Sequence, residues 1–287
     1  MEDISARGRP VRPQTSGAYR PMNRTRLAFF DVDGTLTTSG SMFRLLAFYL
    51  AAMGHPPRVY EERRRELKAM AAIGCPREAT NRAYFSGLQG VDAAVLAGVA
   101  DAWFAAELST GGYYHEPALA ALRRHQEQGD HVVLVSGSFP APLRPIAADL
   151  GVEEVWCTEP DILRGRYTGD LKGPPMIGAA KAEAVRTVLA RHGVTPGDCV
   201  AYGDHISDLP MFKAVGSAVV VGGDERLRTS ARAHGWPLLP GTLPPPALPL
   251  PRTGPGTAGA RTRPTFNSPC SSFASTPPAR YEMPETA

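Results

Sequence analysis

The stretch from Leu27 to Leu36, with the sequence LAFFDVDGTL, constrains the fold of this chain most strongly. Its short apolar run ends at two carboxylates one residue apart, Asp31 and Asp33, and Gly34 follows at once. A short apolar run that ends in a turn signal is typical of a buried strand in a parallel sheet, and such sheets bind ligands at the carboxyl ends of their strands. We therefore expect a parallel α/β fold with a site at these two acids.

The two acids have complementary chemical uses. Both side chains leave the same strand end, and Gly34 allows the chain to turn sharply there. One carboxylate can attack while the other handles a proton, and an aspartate that attacks an anionic phosphoryl group needs positive charge nearby. Mg²⁺ prefers oxygen ligands and meets that need. On this motif alone, the alternative is a strand followed by an acidic turn.

Four segments in order carry a family resemblance. Residues 31–35 (DVDGT) resemble the first motif, DxDGT, of the haloacid dehalogenase superfamily of phosphatases. Ser136, which ends a strand predicted over 131–135, matches the second motif, and Lys181, in a helix predicted over 176–192, matches the third. Residues 203–208 (GDHISD) match the fourth motif, GDxxxD. The resemblance covers residues 27–236, most of the chain.

The resemblance implies a reaction and a set of catalytic residues. Asp31 would attack phosphorus and form an aspartyl-phosphate, and Asp33 would protonate the leaving oxygen and then deprotonate water. Lys181 is expected to pair with the nucleophile and the phosphoryl group, and Ser136 with Gly137 to cradle the phosphoryl oxygens. The expected function is hydrolysis of a small-molecule phosphate monoester.

The same resemblance implies a Mg²⁺ site. Its expected ligands are Asp31, the backbone carbonyl of Asp33, Asp204 and waters, with Asp208 in the outer shell as partner of a ligand or of Lys181. His205 departs from the small residue often found at its position. We expect it to point to solvent, with a titratable donor near the phosphate as the alternative.

The substrate itself is left open by the sequence. In phosphoserine phosphatases an acid soon after the first motif anchors the substrate amine, but residues 36–60 contain no Asp or Glu. Arg44, Arg77 or Arg82 could bind a substrate carboxylate or a second phosphate. Two other functions remain open: a phosphotransferase or phosphomutase on the same site, and a non-catalytic binding module that works through a proline-rich tail.

The order of patterns predicts a doubly wound (Rossmann-like), mainly parallel sheet with a helical cap inserted after the first strand. Residues 25–40 and 112–236 form the predicted α/β core, and residues 41–111 form the cap, resembling that of the phosphoserine-phosphatase-like branch. Residues 1–24 are predicted to be a disordered basic arm, and residues 237–287 a disordered proline-rich tail.

Charge and composition limit the partners. The net charge is +3, but residues 1–26 contribute +4 and residues 237–287 contribute +2, which leaves the middle at −3. The folded part therefore gives no reason to expect nucleic-acid binding. The four cysteines form no CxxC pair, and the N-terminus lacks an apolar signal region. The apolar stretch 45–53 is too short to span a bilayer. We expect a cytoplasmic protein without stable membrane insertion and with an unknown oligomeric state.

Overall fold

The computed structural model describes residues 26–251. Its strands are β1 (Leu27–Phe30), β2 (His131–Ser136), β3 (Glu154–Cys157), β4 (Pro160–Leu163), β5 (Arg166–Leu171), β6 (Cys199–Gly203), β7 (Ser217–Val221) and β8 (Leu238–Leu239). Its α-helices are α1 (Ser41–Ala52), α2 (Pro57–Ala72), α3 (Arg77–Ser86), α4 (Ala93–Thr110), α5 (Glu116–Glu127), α6 (Pro140–Leu150), α7 (Ala179–His192), α8 (Leu209–Phe212) and α9 (Glu225–His234). The predicted arm at residues 1–24 lies outside the described residues.

The main sheet has six strands in the order β3-β2-β1-β6-β7-β8, and every neighbouring pair is parallel. The chain therefore leaves β1 toward β2 on one side and returns to β6 on the other. Such a reversal of strand order places a crevice at the carboxyl ends of the central strands. The predicted doubly wound α/β fold is confirmed, and β1 lies at its centre.

Burial on both faces explains why β1 is a continuous apolar run. Ala28 and Phe30 pack in a cluster with the cap and α5–α6, whereas Leu27 and Phe29 pack on the opposite face with α7–α9. Phe30 also stacks on Tyr202 of β6 with ring centroids 4.2 Å apart. Full burial of a Leu or Phe side chain contributes about 1.5–3 kcal/mol to the stability of the folded state. The strand that carries the paired acids is therefore held firmly from both sides.

Helices α1–α4 follow β1 as the sequence predicts. The two links to this helical segment bond to each other, because Thr38 N donates to Tyr113 O and His115 N donates to Leu36 O, both at 2.9 Å. The antiparallel hairpin β4–β5 bonds to the α3–α4 connection, where Gly90 N donates to Tyr167 O at 2.8 Å. The helical segment therefore contacts the rest of the protein both through its two links and through the β4–β5 hairpin.

The segment after α9 differs from the prediction of a disordered tail from residue 237. Leu238–Leu239 forms β8 beside β7, with Val220 opposite Leu238. The chain passes so close to the β7 end that a Cβ on Gly222 (φ +59°) would lie 2.6 Å from Gly241 Cα. The prediction of disorder is wrong for Leu238–Leu239, because these two residues pair with Val220 and Val221 of β7 and add an edge strand to the sheet. The tail beyond residue 251 lies outside the described residues.

Within residues 26–251, α4 is one helix whose length and composition would allow it to span a membrane, with a mean hydropathy of 1.2 over residues 93–110. Its buried residues include Leu96, Ala100, Trp103 and Phe104, which pack in the core cluster. The Trp103 indole N–H also donates to the buried Glu107 carboxylate at 2.8 Å. One side of α4 therefore packs on the core, while 28% of this window as a whole is buried.

Candidate active site

A buried lysine links two of the predicted acids. Lys181, in the first turn of α7, places its Nζ 2.8 Å from Asp31 Oδ1 and 2.7 Å from Asp208 Oδ1. All three side chains are buried. Burial lowers the pKa of Lys181, but Asp208 and Asp31 outweigh it and raise that pKa above its ordinary value. Lys181 is therefore a fixed cation, and Asp31 lies beside it at the carboxyl end of β1.

Asp33 is held separately from Asp31. The Ser41 backbone N–H donates to Asp33 Oδ1 at 2.8 Å, and the Ser41 hydroxyl donates to Oδ2 at 3.1 Å. Ser41 is the first residue of α1, so the carboxylate faces a helix N-terminus, which favours negative charge. Burial nevertheless raises the pKa of Asp33 to about 6, and part of that rise comes from the neighbouring Asp31 carboxylate. A carboxyl with such a pKa can both donate and accept a proton near neutral pH.

Asp204 follows β6 and lies directly against the turn after β1. A Cβ on Gly34 (φ +86°) would lie 2.5 Å from Asp204 Oδ2, so glycine is required there. The Thr35 hydroxyl donates to Asp204 Oδ1 at 3.2 Å. Burial raises the pKa of Asp204 to about 8, and part of that rise comes from the neighbouring Asp31 and Asp208 carboxylates. This carboxyl therefore needs a nearby cation to be fully ionised at neutral pH.

The donor set suits Mg²⁺. Asp31, Asp204 and Asp208 each offer a carboxylate oxygen within 4.8 Å of the others. Three carboxylates outnumber the one ammonium of Lys181, and oxygen ligands are those that Mg²⁺ prefers. Both oxygens of Asp208 already have partners, since Oδ1 accepts from Lys181 at 2.7 Å and Oδ2 accepts from His205 N at 3.1 Å. Asp31 and Asp204 are thus the better candidates for direct ligands, with Asp208 outside them.

The loop after β2 contains the predicted phosphate cradle. Ser136 and Ser138 are buried, and the Ser138 N–H donates to Ser136 Oγ at 3.1 Å. The Ser138 hydroxyl lies 2.9 Å from that of Ser41, which connects this loop to the holder of Asp33. The Gly137 carbonyl accepts from Thr158 Oγ1 at 2.9 Å. The loop therefore has a fixed conformation beside Asp33.

Helix α3 reaches two of the motif loops. Arg77 Nη1 donates to Ser207 Oγ at 2.8 Å, and Asn81 Nδ2 donates to Gly137 O at 3.0 Å. Burial raises the pKa of Asp31 and of Asp33, and Arg77 is among the cations that lower both. The guanidinium of Arg77 therefore contacts the loop of the fourth motif and acts electrostatically on both acids.

The structure separates the three arginines that the sequence left equivalent. Arg44 is paired with Glu107 and also donates to Pro246 O at 3.3 Å. Arg82 Nη2 donates to the backbone of Gly173 at 3.3 Å. Arg77 alone of these three contacts the fourth motif.

His205 caps the turn over Ile206–Asp208 instead of pointing to solvent. Its Nδ1 accepts from Ser207 N at 3.1 Å, and its side chain is half-buried. Burial lowers the pKa of His205, and the nearby Arg77 cation lowers it further. A side pocket of about 460 Å³ lies beside it, bordered by Gly34, Asp204 and the C-terminal segment at Thr242.

Sequence reasoning missed Ser41, Ser138 and Asn81. Ser41 has a usable signal, since a serine at the start of the helix after an acidic turn is placed to donate to that turn. Ser138 and Asn81 have no such local signal. Their positions depend on how the helical segment meets the loop after β2.

Comparison with known proteins agrees with this geometry. The family model of haloacid dehalogenase-like hydrolases matches residues 28–213. A probable phosphatase from Mycobacterium tuberculosis is 32% identical over 240 residues, covering 80% of this chain and 80% of that protein. A phosphoserine phosphatase from the same organism is 29% identical over 237 residues, covering 79% of this chain and 74% of that protein.

Solved structures share the fold. A protein of unknown function from Bordetella pertussis aligns with a TM-score of 0.67 and 27% identity, covering 75% of this chain and 98% of that one. A phosphoserine phosphatase crystallised as a phospho-aspartyl intermediate analogue aligns with a TM-score of 0.56 and 21% identity, covering 75% of this chain and 93% of that one. The chain therefore belongs to the haloacid dehalogenase-like hydrolases.

Proposed function

We propose that this protein is a magnesium-dependent phosphatase that hydrolyses a small-molecule phosphate monoester through an aspartyl-phosphate on Asp31. The observation that carries the proposal is the contact of Asp31 with the buried ammonium of Lys181, next to Asp204 and beside a separately held Asp33. Mg²⁺ bound by Asp31 and Asp204 would neutralise charge on the substrate's phosphoryl oxygens. We expect the protein to act in the cytoplasm, without nucleic acid.

In the first half-reaction, an Asp31 oxygen attacks phosphorus and the ester P–O bond breaks. Asp33 gives its proton to the leaving oxygen, and Ser41 keeps the Asp33 carboxyl in place through two hydrogen bonds. Lys181 stabilises the charge that develops on the transferring group. Ser136 and Gly137 are proposed to hold phosphoryl oxygens.

In the second half-reaction, Asp33 takes a proton from water, which attacks the phosphorus of the aspartyl-phosphate. The bond between phosphorus and the Asp31 oxygen breaks, releasing inorganic phosphate and restoring the Asp31 carboxylate. A pKa of about 6 for Asp33 suits both proton transfers. The same residue therefore serves as acid and then as base.

Arg77 supports a substrate with a second anionic group. Its guanidinium lies near the acids and touches only a neutral hydroxyl, Ser207 Oγ, among its described hydrogen bonds. Asn81 Oδ1 is buried and has no hydrogen-bond partner among the described residues, so it is available to accept a hydrogen bond from a substrate hydroxyl or amine. We propose a phosphate ester that also carries a carboxylate or a second phosphate.

The test is a turnover screen over phosphorylated metabolites with and without Mg²⁺. The parent protein, Asp31→Asn and the exposed control Asp170→Asn are compared. Turnover of one compound class that requires Mg²⁺, persists in Asp170→Asn and vanishes in Asp31→Asn supports the proposal. Adding an alcohol acceptor distinguishes a transferase, because a transferase would yield a new phosphate ester faster than free phosphate. No turnover by a folded protein would contradict the proposal.

The binding-module alternative is tested by truncation. Deletion of residues 252–287 leaves β8 in place, whereas deletion from residue 237 would remove an edge strand of the sheet. We expect the protein that ends at residue 251 to keep its turnover. A module that works through its tail would instead lose its partner while showing no turnover in either form.

A further inference from the structure

A second group of ligand-type side chains lies at the amino end of the same sheet. His131 is the first residue of β2, Glu154 is the first residue of β3, and His192 is the last residue of α7. Ser136 and Lys181, by contrast, stand at or near the opposite ends of β2 and α7. Because β2 and β3 are parallel neighbours, their first residues lie near each other at the amino end of the sheet, opposite the active site. None of the three residues belongs to the four motifs.

The two imidazoles converge on one carboxylate oxygen. His131 Nε2 lies 2.8 Å and His192 Nε2 lies 3.0 Å from Glu154 Oε2, and the ring centroids are 4.6 Å apart. The other oxygen, Oε1, accepts from the Trp156 indole N–H at 3.0 Å. Trp156 therefore orients the carboxylate so that Oε2 faces both histidines, which is how an outer partner prepares a metal ligand.

We propose that His131, Glu154 and His192 form a binding site for a zinc-class transition-metal ion. Two imidazole nitrogens and a carboxylate oxygen are a common three-ligand set for Zn²⁺. The three ligand atoms lie within 4.8 Å of one another. All three side chains are partly exposed, so water can complete the coordination.

The two distances between the imidazole nitrogens and Glu154 Oε2 require only a small adjustment. Metal–ligand bonds of about 2.0–2.2 Å in a tetrahedral site separate ligand atoms by about 3.3 Å. The present Nε2–Oε2 distances of 2.8 and 3.0 Å must therefore widen by a few tenths of an ångström. The ion would take the place of the protons that the imidazoles now direct at Glu154. Side-chain rotation at this exposed edge can supply that change.

The site is distinct in chemistry from the acid cluster of Asp31, Asp204 and Asp208. Nitrogen ligands favour zinc-class ions, whereas an all-oxygen set favours Mg²⁺. Zinc-class ions should therefore bind at the amino end of the sheet, and Mg²⁺ should bind at the carboxyl end. Excess Mg²⁺ can occupy the acid cluster while Zn²⁺ is measured at the amino end.

The experiment measures Zn²⁺ binding to the full chain by competition with a chromogenic chelator in excess Mg²⁺. The variants are His131→Gln and His192→Gln, with His234→Gln as the matched control because His234 is the exposed last residue of α9. The parent and His234→Gln should bind one Zn²⁺ at this site. Loss of either ligand should weaken that binding at least about 10-fold.

Two further readouts keep the test independent of folding and of thiols. Zn²⁺ should raise the Tm of the parent and of His234→Gln but not that of His192→Gln. Bound Co²⁺ should give visible absorption without thiolate charge-transfer bands. Equal Zn²⁺ affinity in the parent and in both ligand variants would overturn the proposal, as would absence of Zn²⁺ binding by the parent. Loss of the Zn²⁺ in Asp204→Asn alone would assign the ion to the acid cluster and also overturn it.

Discussion

Each end of the central sheet carries a cluster of three charged or titratable side chains, but one cluster is buried and the other is partly exposed. At the carboxyl end, Asp31, Asp208 and Lys181 are buried, and the Lys181 ammonium pairs with both acids. At the amino end, His131, Glu154 and His192 are partly exposed.

Lys181 and His192 stand about 16 Å apart along α7, at 1.5 Å per residue. One helix therefore joins a buried charge cluster to a solvent-accessible one. Burial, more than the choice of residues, therefore decides how much stability and activity depend on each group. Buried charges interact strongly, so removing one of them costs much stability, whereas an exposed ion pair contributes about 0–1 kcal/mol to stability. Changes at the carboxyl end should therefore cost far more than changes at the amino end.

The largest effect is expected for Asp33→Asn. Asparagine can still accept from Ser41, but it cannot deliver a proton to the leaving oxygen or take one from water. We expect turnover of an unactivated phosphate ester to fall about 10²–10⁴-fold, as for loss of a general acid–base residue. Steady-state assays against the parent and Asp170→Asn measure this effect. An unchanged rate would remove Asp33 from the reaction.

A large loss of stability is expected for Lys181→Met. The change removes the ammonium between Asp31 and Asp208 and leaves both acids buried without their partner. Breaking such a pair costs about 3–5 kcal/mol. Urea unfolding of the metal-free variant should show this loss, and added Mg²⁺ should restore part of it. The exposed control Lys213→Met should stay within about 0.5 kcal/mol of the parent. A loss of similar size in both variants would contradict the role of burial.

Some features of the fold are determined by residues that are close together in the sequence. The bounds of α6, β3 and β7 can be predicted from the sequence, because proline, glycine and short apolar runs mark their ends. The caps that Asp92 and Asp224 form on α4 and α9 can also be predicted from the sequence, since a cap needs only the next few residues. Strand β8 was missed because its stability comes from pairing with β7, far away in sequence.

Some residues of the candidate site can also be predicted from the sequence, whereas others depend on contacts between distant elements. Motifs made it possible to propose six residues, because each lies at or next to the end of an element of the core: Asp31, Asp33, Ser136, Lys181, Asp204 and Asp208. The structure brings them to one end of the sheet, as their order predicts. The choice of Arg77 over Arg44 could not be made from sequence, since it depends on Glu107 binding Arg44 from another helix. The amino-end cluster combines three residues from three elements, and no spacing rule connects them.

A pH-dependent effect is expected from Asp33 in the metal-free protein. Burial raises its pKa to about 6 in the folded state, above the value of about 4 in the unfolded chain. The folded state thus binds the proton more tightly, so the stabilising contribution is complete below about pH 4 and is lost as pH rises through about 6.

The difference in unfolding free energy between the parent and Asp33→Asn should therefore shift by up to about 3 kcal/mol across this window. Chemical denaturation in a chelating buffer at several pH values measures it. A constant difference would show that Asp33 titrates alike in both states.

The smallest effect is expected for His192→Gln, measured as phosphatase turnover in Mg²⁺ with no transition metal present. Glutamine at the exposed end of α7 removes one contact to Glu154, while His131 and Trp156 keep that carboxylate in place. The first turn of α7 is anchored by the ion pairs of Lys181, and the helix between the two ends packs on the core through Val185 and Val188. Turnover should therefore stay within about two-fold of the parent, as for a surface change within ±0.5 kcal/mol. A fall of ten-fold or more, with His234→Gln unchanged, would mean that α7 transmits a displacement from one end of the sheet to the other. The two clusters would then act as one unit, and burial alone would no longer explain why the carboxyl end matters more.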